Sequence, residues 1–208
     1  MIVGCGPGNP DYLTTAAVSA VAGAEVLVGA QRLLDLFPQH PGEKIRVDVK
    51  IDEVLEAIAR RDQKTIAVLV TGDPGLASLA RPIIRRFGLE RCRVVPGISS
   101  IQAAFARLGL DWLDARIIDA HGQDPDLRAD ALQDVSKIAI LGGRPQSFDW
   151  LRRELGDRLK EYDIHICEDL TLENEKITTW ESGEDLNRTL SSRTVFILLK
   201  KAKSHKLP

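Results

Sequence analysis

The first 108 residues alternate short apolar stretches with amphipathic ones, and this alternation constrains the fold more than any other feature. Met1 to Val3, Glu25 to Val28, Ile45 to Val47, Thr65 to Val70 and Arg93 to Val95 read as strands. Between the first two, Leu13, Ala16, Ala17, Ala20, Val21 and Ala24 recur at helical spacing, with Thr14 or Thr15 available as a cap. A short helix is expected around Arg32 to Leu36, and Ile51, Val54, Leu55, Ile58 and Ala59 mark a longer one. The helix after Gly75 carries Pro82, which should kink or divide it. Ser99 and Gln102 form a capping-box pattern ahead of Ile101, Ala104, Phe105 and Leu108. A βαβα rhythm of this kind calls for a doubly wound parallel sheet with helices on both faces.

Around Gly109 to Leu113 the rhythm breaks, and a domain boundary is expected there: residues 1–113 as one α/β domain, residues 114–208 as a second. In the second, Arg116 to Asp119 and Lys137 to Leu141 read as strands separated by a loop and a short helix. Asp163 to Cys167, Lys176 to Trp180 and Thr194 to Lys200 read as further strands. With no full helix between residues 163 and 180, the second sheet should be mixed, with antiparallel pairs. The basic tail from Lys200 to Lys206 is expected to fray.

Three loops would lie beyond the carboxyl ends of the first sheet's strands, where ligands gather in open parallel sheets. They are Gly4 to Pro10, Gly72 to Gly75 and Pro96 to Ser100. Glycine, proline and small hydroxyl residues let backbone approach a ligand closely. The first loop invites a nicotinamide or flavin reading, and that reading makes two demands that fail. G-x-G-x-x-G starting at Gly4 needs a glycine where Asn9 stands, and the second strand ends in Gly29-Ala30-Gln31-Arg32 where a ribose-binding acid is required. A phosphate-binding Walker loop fails for want of Gly-Lys-Ser/Thr.

Composition narrows the field further. A net charge of -2 supplies no general field for nucleic acid or a membrane surface, so any anionic ligand must be met by a local basic group. Cys5, Cys92 and Cys167 are odd in number and far apart, and the four histidines are scattered, so neither a disulfide framework nor a protein-built metal site is expected. No apolar run approaches the roughly 18 residues of a membrane helix, and Met1 leads straight into a strand without a secretory signal; a cytoplasmic protein is expected.

Among single residues, Asp73 sits between glycine and proline, where a turn aspartate bonding its own backbone and a functional role are both open. Ser99 and Ser100 can cap a helix and offer hydroxyls and N–H groups to a carboxylate. His121 lies in a polar loop, Asp119-Ala120-His121-Gly122-Gln123-Asp124, where it is either solvated or catalytic. Arg32 and Arg144 are candidate anchors for anionic substrate groups.

Taken in order, Val3-Gly4-Cys5-Gly6-Pro7-Gly8, Gly72-Asp73-Pro74 and Pro96-Gly97-Ile98-Ser99-Ser100 resemble the V-G-x-G-P-G, G-D-P and P-G-x-S-S motifs of the tetrapyrrole methylase superfamily. Asp11-Tyr12-Leu13-Thr14, Gly29-Ala30-Gln31-Arg32-Leu33-Leu34, the stretch Ser99 to Leu108 with Trp112, His121-Gly122, and Glu168-Asp169-Leu170 with Glu175-Lys176-Ile177 resemble its cobalt-precorrin C5-methylating branch in cobalamin synthesis. Gln123 and Asp169 depart from the arginine and asparagine of that pattern.

The resemblance implies a tetrapyrrole methylase fold of two α/β domains, with S-adenosylmethionine in the cleft between them and S-adenosylhomocysteine as product. It implies cofactor contacts from Pro7, Gly72, Asp73, Leu76, Ser100, Ile101, Leu141, Gly142 and Thr194, and substrate contacts from Gly6, Gly8, Arg32 and Arg144. The substrate would be a corrinoid tetrapyrrole carrying any cobalt itself, and the assembly a homodimer. Because the chain closes near residue 208, C15 methylation and decarboxylation would fall to a separate protein.

An electron-rich meso carbon is already a nucleophile, so alignment at about 3 Å and exclusion of water are the main demands on the protein. His121 is the candidate acceptor for the C5 proton. The rival readings are superfamily members acting on uroporphyrinogen, a diphthamide precursor or ribosomal RNA, the last of which needs a basic cleft, and a non-catalytic α/β binding subunit.

Overall fold

A computed structural model describes residues 1–47, 50–127, 131–181, 186 and 188–201. The chain divides into two compact units, Met1–Ser100 and Ile101–Pro208. The sequence placed this junction at residues 113/114. The helix Ser100–Leu108 goes with the second unit, where Arg107 pairs with Glu175 at 2.7 Å.

The first unit holds strands β1 (Ile2–Gly4), β2 (Val26–Gly29), β3 (Glu43–Arg46), β4 (Ile66–Val70) and β5 (Val94–Val95). They form one parallel sheet in the order β3-β2-β4-β1-β5. Helices α1 (Thr15–Ala22) and α2 (Gln31–Leu34) precede β2 and β3, and α3 (Ile51–Ala59) and α4 (Ala80–Phe87) precede β4 and β5.

The period-2 alternation of the strands sorts their side chains between two cores. Val3, Leu27, Ala67, Leu69 and Val95 pack with Ala17, Ala20 and Val21 of α1 and Leu33 and Leu34 of α2. Ile2, Val26, Val28, Ile66, Val68 and Val70 face the other way, against Val54 and Ala57 of α3 and Ala80 and Ile83 of α4. Every residue of β4 is buried, which is why it reads as an unbroken apolar run.

Local chemistry sets the helix starts. The Thr14 hydroxyl accepts the Ala17 N–H at 3.0 Å and caps α1. Pro82 does not kink α4: the helix begins at Ala80, so the proline falls in the first turn, where N–H groups have no intrahelical partner to lose. The residues ahead of it form turns instead, with the Ser78 hydroxyl accepting from Ala80 N–H at 3.0 Å.

The second unit takes all but the first residue of α5 (Ser100–Leu108), whose start puts Ser99 and Gln102 at the two capping-box positions. Strands β6 (Ala115–Asp119), β7 (Lys137–Leu141), β8 (Tyr162–Glu168), β9 (Lys176–Trp180) and β10 (Thr194–Lys200) form a mixed sheet in the order β6-β7-β10-β8-β9. Only β6 and β7 are parallel.

The expected short helix between β6 and β7 is absent among the described residues, and a turn at residues 131–134 occupies the connection. A helix the sequence reading passed over, α6 (Ser147–Leu155), buries Phe148, Leu151 and Leu155 on one stripe and Trp150 beside it. Phe148 lies edge-on to Trp180 with centroids 5.5 Å apart and tilted against Phe196 at 5.6 Å. The frayed tail expected beyond Lys200 lies, from residue 202 on, outside the described residues.

Candidate active site

In the first unit, β1 and β4 are neighbours, paired from Ile2↔Val68 to Gly4↔Val70. The connection from β1 runs to α1 on one face, and that from β4 runs to α4 on the other. Adjacent parallel strands whose connections diverge to opposite faces leave a crevice at their carboxyl ends, the place where open α/β sheets bind ligands.

Three loops converge there. Gly6 and Gly72 exchange two backbone hydrogen bonds, Gly72 N–H to Gly6 at 2.8 Å and Gly6 N–H to Gly72 at 3.3 Å. Asp73 then ties the second loop to the third. One carboxylate oxygen accepts the Gly75 N–H at 2.7 Å and the other accepts the Gly97 N–H at 3.0 Å. A methyl group on Gly97 would stand 2.3 Å from the Gly72 carbonyl oxygen, and one on Gly4 2.7 Å from both that oxygen and the Gly97 nitrogen. These glycines are therefore fixed by the close approach of three backbones. Both carboxylate oxygens of Asp73 thus accept a backbone N–H, as the turn reading expects.

Pro7 and Gly72 are buried on this rim, Gly8 and Leu76 half-buried. Arg32 is exposed at the carboxyl end of β2 and donates to the Thr71 hydroxyl at 2.5 Å. A guanidinium thus stands at the strand end where a dinucleotide fold would carry an acid.

In the second unit the parallel and antiparallel pairings bring Asp119, Leu141, Thr194, Glu168 and Lys176 to one edge of the sheet. Gly142 N–H donates to Thr194 at 2.8 Å, and the buried Thr194 hydroxyl donates to the Ser191 carbonyl at 2.7 Å. His121 follows β6 at this edge. Its Nδ1 lies 2.6 Å from an Asp119 carboxylate oxygen that also accepts the His121 backbone N–H at 3.1 Å.

Arg144 is committed to its own unit. Its Nε donates to the Ala120 carbonyl at 3.0 Å and its Nη2 to Asp124, which Arg153 also holds at 2.7 Å. The hydrogen bond from Arg144, with Arg153 adding to it, keeps the Asp124 carboxyl below its ordinary value. Ion pairing across twenty-odd residues is invisible to a scan for isolated basic groups, so the sequence offered Arg144 as a free anchor. Here it braces the loop that carries His121.

The departure at Asp169 has a local partner too. The Asp169 carboxylate accepts from Arg193 Nε at 2.9 Å, from the Ser191 hydroxyl at 2.8 Å and from Asn174 at 2.7 Å. Next to it, burial pushes Glu168 up, but Arg188 and the Ser191 N–H outweigh burial and hold it below the usual carboxylate range. Gln123 is exposed in the loop.

Burial pushes the Cys5 and Cys167 thiols up to about 12, which removes them as nucleophiles at neutral pH. Among the described residues no group of histidine, cysteine and carboxylate side chains is placed to hold a metal ion. The sequence candidates therefore fall into two sets. Gly6, Pro7, Gly8, Arg32, Gly72, Asp73 and Leu76 share an edge of the first sheet, and His121, Leu141, Gly142, Arg144 and Thr194 share an edge of the second, while Ser100 and Ile101 open α5. The sequence reading missed Asp119, although its position two residues ahead of His121 was legible.

Glycine loops at a switch point, a mixed second sheet and an absent ribose acid define one class. Residues 1–184 match the model of the tetrapyrrole (corrin/porphyrin) methylases, and the chain belongs to that family. It is 32% identical over 198 residues to the cobalt-precorrin-7 C(5)-methyltransferase of Salmonella typhimurium, covering 95% of this chain and 97% of that one. It is 31% identical over 210 residues to a probable enzyme of the same name from Methanocaldococcus jannaschii, covering 94% and 95%. A solved uroporphyrin-III C-methyl transferase from Thermus thermophilus, complexed with S-adenosyl homocysteine, shares the fold with a TM-score of 0.75 at 24% identity, over 95% of each chain.

Proposed function

We propose that this chain is an S-adenosylmethionine-dependent C-methyltransferase that methylates C5 of a precorrin or cobalt-precorrin in cobalamin biosynthesis. The observation that carries the reading is the near full-length likeness to proteins of that name, at 31–32% identity.

The geometry supports it. The rim at the β1/β4 switch point is backbone and glycine, and the Asp73 carboxylate is spent on two N–H groups. Such a wall fits a nucleoside ligand recognised by backbone hydrogen bonds. Bound there, S-adenosylmethionine supplies an electrophilic methyl group on a sulfonium.

The residues of the chain bind, orient and exclude water. Gly6 and Gly8 shape the floor beside the macrocycle, and Pro7, Gly72, Asp73, Leu76, Ser100, Ile101, Leu141, Gly142 and Thr194 belong to the cofactor. Arg32, at the end of β2, is the proposed partner for a substrate carboxylate, since a guanidinium presents paired donors to one. Arg144, which also holds the 120–124 loop, is a second proposed partner for a substrate carboxylate. A ring carbon that is itself the nucleophile needs no activated side chain, in keeping with thiols that stay protonated.

Any cobalt is part of the substrate. The reading also carries a homodimer, a cytoplasmic setting and a separate protein for C15 methylation and decarboxylation. Among the described residues no helix is long and apolar enough to cross a membrane.

Calorimetry with S-adenosylhomocysteine tests the cofactor, and methyl transfer to a panel of precorrins with and without cobalt tests the substrate. Binding is expected for the wild type and is lost in Asp73→Arg, which breaks the loop clamp and fills the rim. A wild type that binds no S-adenosylhomocysteine overturns the reading. Binding without methyl transfer to any macrocycle favours a non-catalytic subunit.

A further inference from the structure

His121 and Asp119 form the one histidine–carboxylate pair at the sheet edge that also carries Leu141, Gly142 and Thr194, among the described residues. Asp119 is the last residue of β6 and pairs with Leu141, so the strand fixes its position. Its carboxylate oxygen grips His121 twice, at the backbone N–H and at Nδ1. The first bond sets the turn of the loop, and the second sets the ring.

A carboxylate can only accept a hydrogen bond, so at 2.6 Å the imidazole must be the donor. In the neutral ring that places the hydrogen on Nδ1 and leaves the lone pair on Nε2. The ring is about half exposed, with 55% of the side chain accessible, and the following Gly122 has open space around it. Of the charged groups nearby, Asp124 is held between Arg144 and Arg153, and the Arg144 guanidinium also binds the Ala120 carbonyl. None of them is bonded to the His121 ring.

The proposed reaction leaves a proton to be removed. As the new carbon–carbon bond forms from the macrocycle's π electrons, the sulfur–methyl bond breaks and its electrons stay on sulfur. C5 then holds both methyl and hydrogen. Breaking its C–H bond returns the electron pair to the ring and needs an acceptor for H⁺.

We infer that Asp119 is a positioning residue for the C5-methylation proposed above: it locks His121 in the tautomer whose Nε2 accepts the C5 proton, and balances the imidazolium that results. The inference rests on that reading for its substrate, but not for the tautomer. The same logic of a carboxylate orienting an imidazole serves many general bases.

Two measurements test it. Nitrogen-15 NMR of histidine-labelled protein, without any ligand, reads the tautomer directly, with the signal assigned by its loss in His121→Gln. The wild type should carry its neutral hydrogen on Nδ1, and Asp119→Ala should release the ring to the other tautomer. In methyl-transfer kinetics, Asp119→Ala and His121→Gln should each lower kcat about 100-fold, the low end of a general base's contribution, with KM and S-adenosylhomocysteine affinity unchanged. The double variant should lose no more than either single one. Asp119→Asn, which still accepts from Nδ1 but brings no charge, should keep the tautomer and fall between.

A wild-type resonance with hydrogen on Nε2, or an unaltered kcat in Asp119→Ala, overturns the positioning role. An unaltered kcat in His121→Gln overturns the proton acceptor. A wild type that methylates no macrocycle refutes the functional reading and the proton transfer with it, while the NMR still decides whether Asp119 sets the ring.

Discussion

Asp73→Ala removes a side chain that holds two of the three glycine loops together, and the structure gives the size of the effect. The carboxylate accepts from Gly75 N–H at 2.7 Å in an exposed place and from Gly97 N–H at 3.0 Å in a partly buried one. A hydrogen bond to a charged group contributes about 1.5–3 kcal/mol, but water can replace the first partner, which reduces that loss to about 0.5 kcal/mol. The Gly97 nitrogen is crowded by the Gly4 backbone, so leaving it unpaired costs about 1–3 kcal/mol. The expected total is about 1.5–3.5 kcal/mol in the first unit. All three tryptophans, Trp112, Trp150 and Trp180, lie in the second unit, so their emission follows that unit alone while far-ultraviolet circular dichroism follows both. Urea unfolding read by both probes should place the loss in the dichroism signal. Asp73→Asn is the informative companion: its oxygen can still serve Gly75, but its NH₂ then faces the Gly97 N–H, donor against donor. If Asn and Ala both stay within about 0.5 kcal/mol of wild type, the clamp contributes nothing and the account of the rim is wrong.

Two further outcomes follow from the same geometry. Gly97→Ala drives a methyl group to 2.3 Å from the Gly72 carbonyl oxygen, a backbone neighbour that cannot rotate away, so the first unit should lose about 1–3 kcal/mol in urea and S-adenosylhomocysteine should bind more weakly; an undisturbed midpoint would refute the close approach. Glu175 is held below its ordinary value of 4.5 by its hydrogen bond with Arg107, against burial, so its contribution is full above that ordinary value and fades as pH falls through the lowered one. The stability gap between wild type and Arg107→Gln, followed by tryptophan emission, should be widest above about pH 5 and close on acidification; a gap constant with pH excludes the pair as its source.

The parts of the fold that were legible in the sequence are those set by local chemistry. Burial on both faces makes β4 a continuous apolar run, and Thr14 caps α1 through its own hydroxyl. Thr194–Lys200 was legible for the same reason as β4, since its first five residues are all buried. α6 escaped because its buried stripe of Phe148, Leu151 and Leu155 is interleaved with Asp149, Arg152, Arg153 and Glu154, and a search tuned to alternating strands passes over it. Pro82 misled because its effect depends on where the helix starts, and that start is set by the Ser78 bonds. The local partners of Arg144 were illegible for a different reason: Ala120 and Asp124 reach it only once β6 and β7 are paired.

The end of β2 connects the legible and the illegible parts of the site. A dinucleotide fold needs a carboxylate there, and its absence was plain from Gly29-Ala30-Gln31-Arg32. What the sequence did not reveal is that the substitution changes the sign of the charge at a fixed place. The parallel pairing of β2 with β4 sets Val28 beside Val68, so the loops after the two strands run together and Arg32 reaches the Thr71 hydroxyl at 2.5 Å. One residue further along that loop, Gly72 is bonded to Gly6, and the Asp73 carboxylate accepts from the Gly75 and Gly97 N–H groups. The Arg32 guanidinium and the Asp73 carboxylate, each hydrogen-bonded, thus lie on neighbouring loops at the crevice edge. An acid at this position would select a ribose and repel a polyanion; a cation suits a macrocycle bearing several carboxylates, at the expense of any hold on a ribose. The backbones around that crevice are packed to the point where none of Gly4, Gly6 or Gly97 tolerates a methyl group, and the proposed recognition of the cofactor by backbone is in keeping with that packing.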